Sequence, residues 1–169
     1  MVAMNTNKNK DYFYKCLEVA KIGEKIVTEL FENKGYTVKD VSSDEKWQEP
    51  DIDLLIYQDG KLVNKVEVKT DEKALVTGNV FIETKSNKGL GWIWKTEADY
   101  LYIVIPTVKI YVLYIDEFRE WFRSIMYDCK LKPSQTTDKY GNFLYNNWGR
   151  LVPMHVMDSL EFVYSIPIN

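Results

Sequence analysis

Between Pro50 and Thr70, two runs of aliphatic residues, Ile52-Asp53-Leu54-Leu55-Ile56 and Val66-Glu67-Val68-Lys69, stand on either side of an Asp59-Gly60 pair. Apolar runs of strand length around an Asp-Gly turn predict an antiparallel hairpin, with strands over 51–57 and 62–70. Alternate residues of a strand share a face. Ile52, Leu54 and Ile56 therefore form an apolar face, as do Val66 and Val68, and Asp51 and Asp53 oppose Glu67 and Lys69 as polar faces. Whether the two polar faces coincide depends on the turn. An odd number of loop residues, such as three with Gly60 left-handed, puts them on one side of the sheet, whereas a strict two-residue turn does not.

The hairpin needs partners, and the flanking sequence supplies them. Phe13, Leu17, Ala20, Val27 and Phe31 recur at helical spacing over 11–33, and Gly35 follows as a stop. Glu24 interrupts that apolar stripe. A short extended segment over 36–41 and an acidic loop lead into the hairpin. A strand over 79–85 is followed by a Gly- and Lys-rich loop through Lys95. Runs of Tyr, Val and Ile predict strands over 100–105 and 110–115, turning at Pro106-Thr107. Asp116 caps a second helix, with Phe118, Trp121, Phe122, Ile125 and Met126 on its apolar side. The polar stretch 130–149 reads as turns, and short strands near 151–154 and 162–166 close the chain. The expectation is a mixed α+β (α/β) fold, a central mixed sheet flanked by helices. It forms one domain over 1–169, with a core of about 11–128 and a C-terminal extension of about 129–169.

Composition narrows the chemistry. The 169 residues are 46% hydrophobic and 28% charged, which excludes a disordered chain. Cys16 and Cys129 cannot build a disulfide framework, and His155 is the sole histidine, so a His-rich metal site is ruled out. Cys16 reads as core and His155 as structural. Pro106 and Lys109 break the longest apolar stretch, and the first residues lack a signal-peptide core, so the expectation is a reduced, cytoplasmic protein with no membrane span. A net charge of −3 counts against binding nucleic acid by bulk positive charge. Local basic segments remain. Lys85, Lys88 and Lys95 occur without an acid among them, beside Trp92 and Trp94. Lys130, Lys132, Lys139 and Arg150 outnumber Asp138, and Tyr140, Phe143, Tyr145 and Trp148 lie among them. Lysines can meet phosphates and aromatic rings can stack on bases, so Lys85, Lys88, Trp92 and Lys95 are candidate nucleic-acid contacts. The competing reading packs the tryptophans into the core.

Two carboxylates meeting at a sheet edge suit a hard cation such as Mg²⁺, which takes oxygen ligands and keeps several waters. An adjacent lysine can orient or deprotonate a water, or stabilise developing negative charge. A helix carboxylate such as Glu24 can add a further acid, and it is costly to bury unpaired. The competing reading of the same face is a solvated surface with a weak cross-strand ion pair.

Asp53 before Leu-Leu-Ile, a Gly-containing turn and then Glu67-Val68-Lys69 resemble the PD-(D/E)XK nuclease superfamily, which includes restriction endonucleases and Holliday-junction resolvases. The Gly23-Glu24 helix resembles the one that often carries that family's first acid. The stretches from Thr77 to Glu83 and from Thr96 to Tyr100 are similar to phage-type members. The resemblance covers roughly 16–105. It implies a restriction endonuclease-like core and a Mg²⁺-dependent DNA endonuclease, with Mn²⁺ substituting and RNA still open as substrate. It implies Asp53, Glu67 and the Val68 carbonyl as metal ligands, Lys69 as catalytic lysine and Glu24 as auxiliary acid. The (D/E)-x-K spelling recurs elsewhere, including at Glu32, Asp44, Asp59, Asp71 and Glu83, and of these five only Glu83-Thr84-Lys85 is also expected on a strand. Asp51 stays an alternative to Asp53, and the role of Glu83 stays open. A small chain with little room for base-reading elements implies structure-specific or weakly sequence-specific cutting, and cutting of both strands implies a homodimer. The alternatives are a catalytically inactive nucleic-acid-binding or assembly protein of the same fold, or an interaction domain.

Overall fold

The computed structural model describes the backbone of residues 6–137 and 142–168, and the side chains of 18–136 and 142–168. Phe13, Cys16, Leu17, Asp138, Lys139 and Tyr140, invoked above, lie outside the described side chains. The chain runs α1 (Thr6–Glu32), β1 (Thr37–Asp40), α2 (Glu45–Gln48), β2 (Leu54–Gln58), β3 (Lys61–Thr70), α3 (Ala74–Thr77), β4 (Asn79–Ser86) and β5 (Gly89–Leu90). It continues as α4 (Trp92–Lys95), β6 (Tyr100–Ile105), β7 (Lys109–Tyr114), α5 (Ile115–Ile125), β8 (Lys130–Thr137), β9 (Phe143–Pro153), α6 (Met154–Asp158) and β10 (Val163–Pro167).

A mixed sheet of order β1-β2-β3-β6-β7-β10 forms the centre, with β3 and β6 parallel and its other pairs antiparallel. The fold is the mixed α+β class expected from the sequence. Its middle strands are covered on both faces, which explains their unbroken apolar spelling. Leu54, Ile56, Val66, Val68, Tyr102, Val104 and Val112 pack with Val27 and Phe31 of α1. The other face, through Leu101, Ile103, Ile105, Tyr111 and Leu113, packs with Phe118 and Phe122 of α5.

A second, four-stranded antiparallel sheet of order β5-β4-β9-β8 was not foreseen. The polar stretch 130–149 is mostly a long ribbon, β8–β9, rather than turns. Leu131, Phe143 and Leu144 are exposed there, at 46%, 58% and 51%. A ribbon solvated over much of its length has no reason to alternate apolar and polar residues, so the period-2 signal is missing. Two smaller differences have local causes. The loop through Lys95 contains β5 and the single turn α4. Asp116 lies in the first turn of α5, favourable to the helix dipole, and Tyr114 occupies the cap position.

The hairpin resolves the parity condition in an unexpected way. Its turn is the strict two-residue one, with Asp59 and Gly60 both left-handed at φ 51° and 75°, the type I′ geometry that Asp-Gly favours. Left uncorrected, that turn would put the carboxylates on opposite faces. A β-bulge restores them. Tyr57 pairs with Leu62 but Ile56 with Asn64, so Val63 is an extra residue and Leu54 comes opposite Val66. One step further along the same register, Asp53 comes opposite Glu67. The apolar faces choose this register, since slipping by one residue would turn Val66 and Val68 away from α1.

Among the described residues no helix is long and apolar enough to cross a membrane.

Candidate active site at the fork of β2 and β3

Beyond Val66, β3 runs on without β2 beside it, and the site lies in that fork. The Asp53 amide donates to the Val66 carbonyl at 2.9 Å, and the Val68 amide donates to Asp53 Oδ2 at 2.8 Å. Val66 and Val68 thus turn their backbone groups to the same side. The Val68 carbonyl points into the fork, where β2 offers no ladder partner. Asp53 is fixed at the mouth of this opening.

Glu67 is 1% exposed, on the face of β3 opposite to Val66 and Val68. Its Oε1 accepts from Lys69 Nζ, and its Oε2 is buried with no hydrogen-bond partner. A buried carboxylate oxygen left unsatisfied costs free energy, about 1–3 kcal/mol or more for a charged group. Burial pushes Glu67 up to about 8, with Asp53 adding to the rise and Lys69 opposing it. Asp53 is also raised, first by burial, against the pull of Lys69, of the Val68 amide and of a hydrogen bond with the Glu67 carboxyl group. Burial alone would lower Lys69, but Glu67 and Asp53 outweigh it and hold the ammonium above the ordinary lysine range. Its side chain stays 35% exposed, so it is partly open to solvent.

Glu24 reaches the fork from α1. It is half-buried, accepts from Ser42 Oγ at 3.3 Å, and is raised to about 6 by burial, then by Asp53 and Asp40. Its neighbour Gly23 makes this approach possible. A Cβ on Gly23 would collide with the Thr70 hydroxyl and stand 3.3 Å from Thr70 Cβ and 3.5 Å from a Val68 methyl, so α1 can lie this close to β3 only without a side chain there. The buried helix stripe is Gly23, Val27 and Phe31, at i, i+4 and i+8, and Ala20 is exposed instead of belonging to it.

The alternation predicts that Asp51 shares the strand face of Asp53, but the structure places Asp51 outside the strand. Its φ of 48° takes it out of the strand, its carboxylate pairs with Lys95 at 3.1 Å, and its carbonyl accepts from Thr96 Oγ1 at 2.8 Å. Glu83, whose role the sequence leaves open, sits on β4. Burial raises it, while Lys69, the Trp92 amide and Asn147 act to lower it. Lys69 Nζ thus binds Glu67 Oε1 and lies 5.8 Å from the Trp92 ring centroid, and the carboxylates of Asp53, Asp51 and Glu83 all act on it electrostatically.

The candidate nucleic-acid contacts separate. Lys85 and Lys88 are exposed on β4 and in the turn after it. Lys95 is engaged by Asp51. Trp92 is 8% exposed, part of the core, and its ring lies by Lys69, so it is not a free stacking surface. His155 is exposed on α6, near Asp158. Arg119 is a residue that sequence reasoning misses. From α5 it donates Nε to the Ile93 carbonyl at 2.6 Å and a second nitrogen to the Thr96 carbonyl, pinning the turn that holds Trp92 and Lys95. Asn147 and Ser42 are missed too, because their partners lie far away along the chain.

The donor set suits a hard cation. Asp53, Glu67 and the Val68 carbonyl are oxygen donors, and the orphaned Glu67 Oε2 is the buried polar atom that such an ion would satisfy. Among the described residues no three His, Cys, Asp or Glu side chains gather into a complete metal cage. An ion here would rely on a backbone carbonyl and on waters.

No protein-family model matches this chain, and no curated protein matches it significantly. Among solved structures it is similar to a bacterial homing endonuclease, I-Ssp6803I, at 22% identity and a TM-score of 0.45. The likeness covers 59% of this chain and 65% of the endonuclease, so the chain spans less than two thirds of that protein's length. A similarity at that level transfers neither activity nor substrate.

Proposed function

We propose that the protein is a divalent-metal-dependent endonuclease that hydrolyses DNA phosphodiester bonds, with structure-specific or weakly sequence-specific action. The observation that carries this reading is the fork itself: Asp53 tied to the Val68 amide, Glu67 buried with an unsatisfied oxygen, and Lys69 bound to Glu67 yet open to solvent. A solvated hairpin face would not bury a glutamate to 1%.

Asp53, Glu67 and the Val68 carbonyl would hold Mg²⁺, or Mn²⁺ in its place. A bound divalent ion supplies a more acidic water and neutralises charge on a phosphoryl oxygen. The chain's own residues do the rest. Lys69, kept an ammonium at neutral pH, donates to the attacking water or to the oxygen that gains charge, and does not remove a proton. Glu24, with its raised pKa, orients water on the α1 side of the fork and can accept a proton near pH 6 and above. One such centre cuts one strand, so cleavage of both strands calls for a second copy of the chain.

The test is incubation with plasmid, linear duplex, single-stranded and branched DNA, and with RNA, in Mg²⁺ or Mn²⁺. Cleavage is expected to stop in EDTA and to fall by about 10²–10⁴-fold in Lys69→Ala and in Glu67→Gln. Cleavage that survives both substitutions contradicts the site. Binding without cleavage under every condition favours an inactive nucleic-acid-binding protein of this fold, and cleavage of RNA alone corrects the substrate.

A further inference from the structure

We propose that the β8–β9 ribbon is a guide arm that holds a single, unpaired nucleic-acid strand in the cleft beside Lys69. The identity of the ligand rests on the nuclease reading, but the placement of the arm follows from the sheet register. Glu83 pairs with Gly149, and Gly149 with Lys132, so these positions share one face of the second sheet. Phe81, Leu151, Lys132 and Ser134 of this same face line one cleft together with Lys69, so the face is turned towards the fork. Continuing outwards by twos, the same face carries Asn147 opposite Ser134 and then Tyr145 opposite Thr136. A line of hydrogen-bonding side chains thus leads from the candidate active site along the arm.

Between this face and α1 opens a cleft of about 480 Å³, with Lys69 in its wall. Phe81 and Leu151 contribute apolar surface, and Lys73 and Lys132 stand exposed at the rim. Of the two acids there, Asp71 is consumed internally, accepting from the Ala74 amide at 3.1 Å and the Phe81 amide at 3.0 Å. Glu72 is exposed beside Lys73. Apolar surface flanked by lysines complements an unstacked base with phosphates on either side. A duplex offers the reverse, since its base faces are hidden in the stack and only phosphates and base edges meet a protein. The volume is that of a pocket for a small organic ligand, suited to an unstacked nucleotide and too small for a double helix.

The experiment measures fluorescence anisotropy of a short mixed-sequence single-stranded DNA, and of its duplex, with the full chain in EDTA across a salt series. The single strand is expected to bind about tenfold more tightly or better. Lys132→Ala and Lys73→Ala should each weaken it and lower the slope of log K against log salt by about 0.7 per lost phosphate contact. Lys61→Ala, at the exposed turn of the β2–β3 hairpin, should change neither. Equal or tighter duplex binding, unchanged binding in both cleft variants, or no binding of either probe overturns the guide. Without divalent metal, none of these outcomes depends on turnover. Metal-dependent cleavage in a Lys132→Ala protein that binds like wild type removes the guide and keeps the nuclease. Lysine-dependent single-strand binding by a chain that never cuts keeps the guide and removes the nuclease.

Discussion

Two antiparallel hairpins dominate this molecule, and they are built to opposite specifications. β2–β3 is packed under α1 along one face, and its register is fixed by what it buries: Leu54, Ile56 and Val66 are fully enclosed. β8–β9 projects with both faces partly open, and its residues are free to be polar, small or aromatic. The first hairpin holds the Asp53 carboxylate on the Val68 amide and the Glu67 carboxylate on Lys69. The second presents a surface. A buried register can position reacting groups, and a solvated ribbon can only contact something large.

The contrast can be broken by mutation, and the largest difference should be in catalysis. Glu67→Gln keeps the shape of the side chain and removes the charge, so cleavage falls by about 10²–10⁴-fold. Lys132→Ala on the ribbon should leave kcat near wild type and raise KM for a single-stranded substrate. Equal losses of kcat in both variants would erase the division between the hairpins.

Stability against pH gives the next largest effect. Glu67 and Glu24 bind protons more tightly folded, near pH 8 and 6, than at the ordinary glutamate value of 4.5. Between 4.5 and 8 the folded chain therefore holds protons that the unfolded chain has released, and stability falls as pH rises. Denaturant midpoints measured without metal should decline across that window. Glu67→Gln should flatten the upper part, whereas substitutions on the ribbon should leave the profile alone. A midpoint that climbs from pH 5 to 8 and is unaffected by Glu67→Gln would contradict the burial of this acid.

Gly23→Ala should have a smaller effect, of opposed parts. Helix propensity alone favours alanine by about 0.8–1 kcal/mol, and overpacking against Thr70 and Val68 costs about 1–3 kcal/mol. The clash is expected to win by about 1 kcal/mol, with a drop in cleavage as Glu24 withdraws. A more stable and fully active Gly23→Ala protein would show that α1 need not approach so closely.

Deleting Val63 should do least. It removes the bulged residue and leaves Ile56 opposite Asn64 and Leu54 opposite Val66, so cleavage should survive.

The sequence makes one of these hairpins legible and not the other. The alternation around Asp53 and Glu67 exposes the strands, the faces and the acid–lysine pairing, because burial of one face forces that spelling. It also gives the helix with Glu24, though Ala20 looks like part of the stripe and Gly23 turns out to be the contact. The turn misleads, since Asp59-Gly60 is the two-residue type that should separate the carboxylates, and the compensating bulge at Val63 has no residue signature. The left-handed turn at Asp51 is equally silent, so the sequence gives no hint that Asp51 leaves the strand and pairs with Lys95. Nothing local points to the ribbon, to Asn147 beside Glu83, or to Arg119 beneath α4, because each depends on contacts distant along the chain.

The central claim is that Asp53 and Glu67 form a cation site, and calorimetric titration of Mn²⁺ near pH 7 tests it most directly. The account predicts one ion per chain, proton release on binding because the protonated Glu67 must ionise, and loss of uptake in both Asp53→Asn and Glu67→Gln. Uptake that persists in both variants, or a wild-type chain that binds no Mn²⁺ at millimolar concentration, would contradict it.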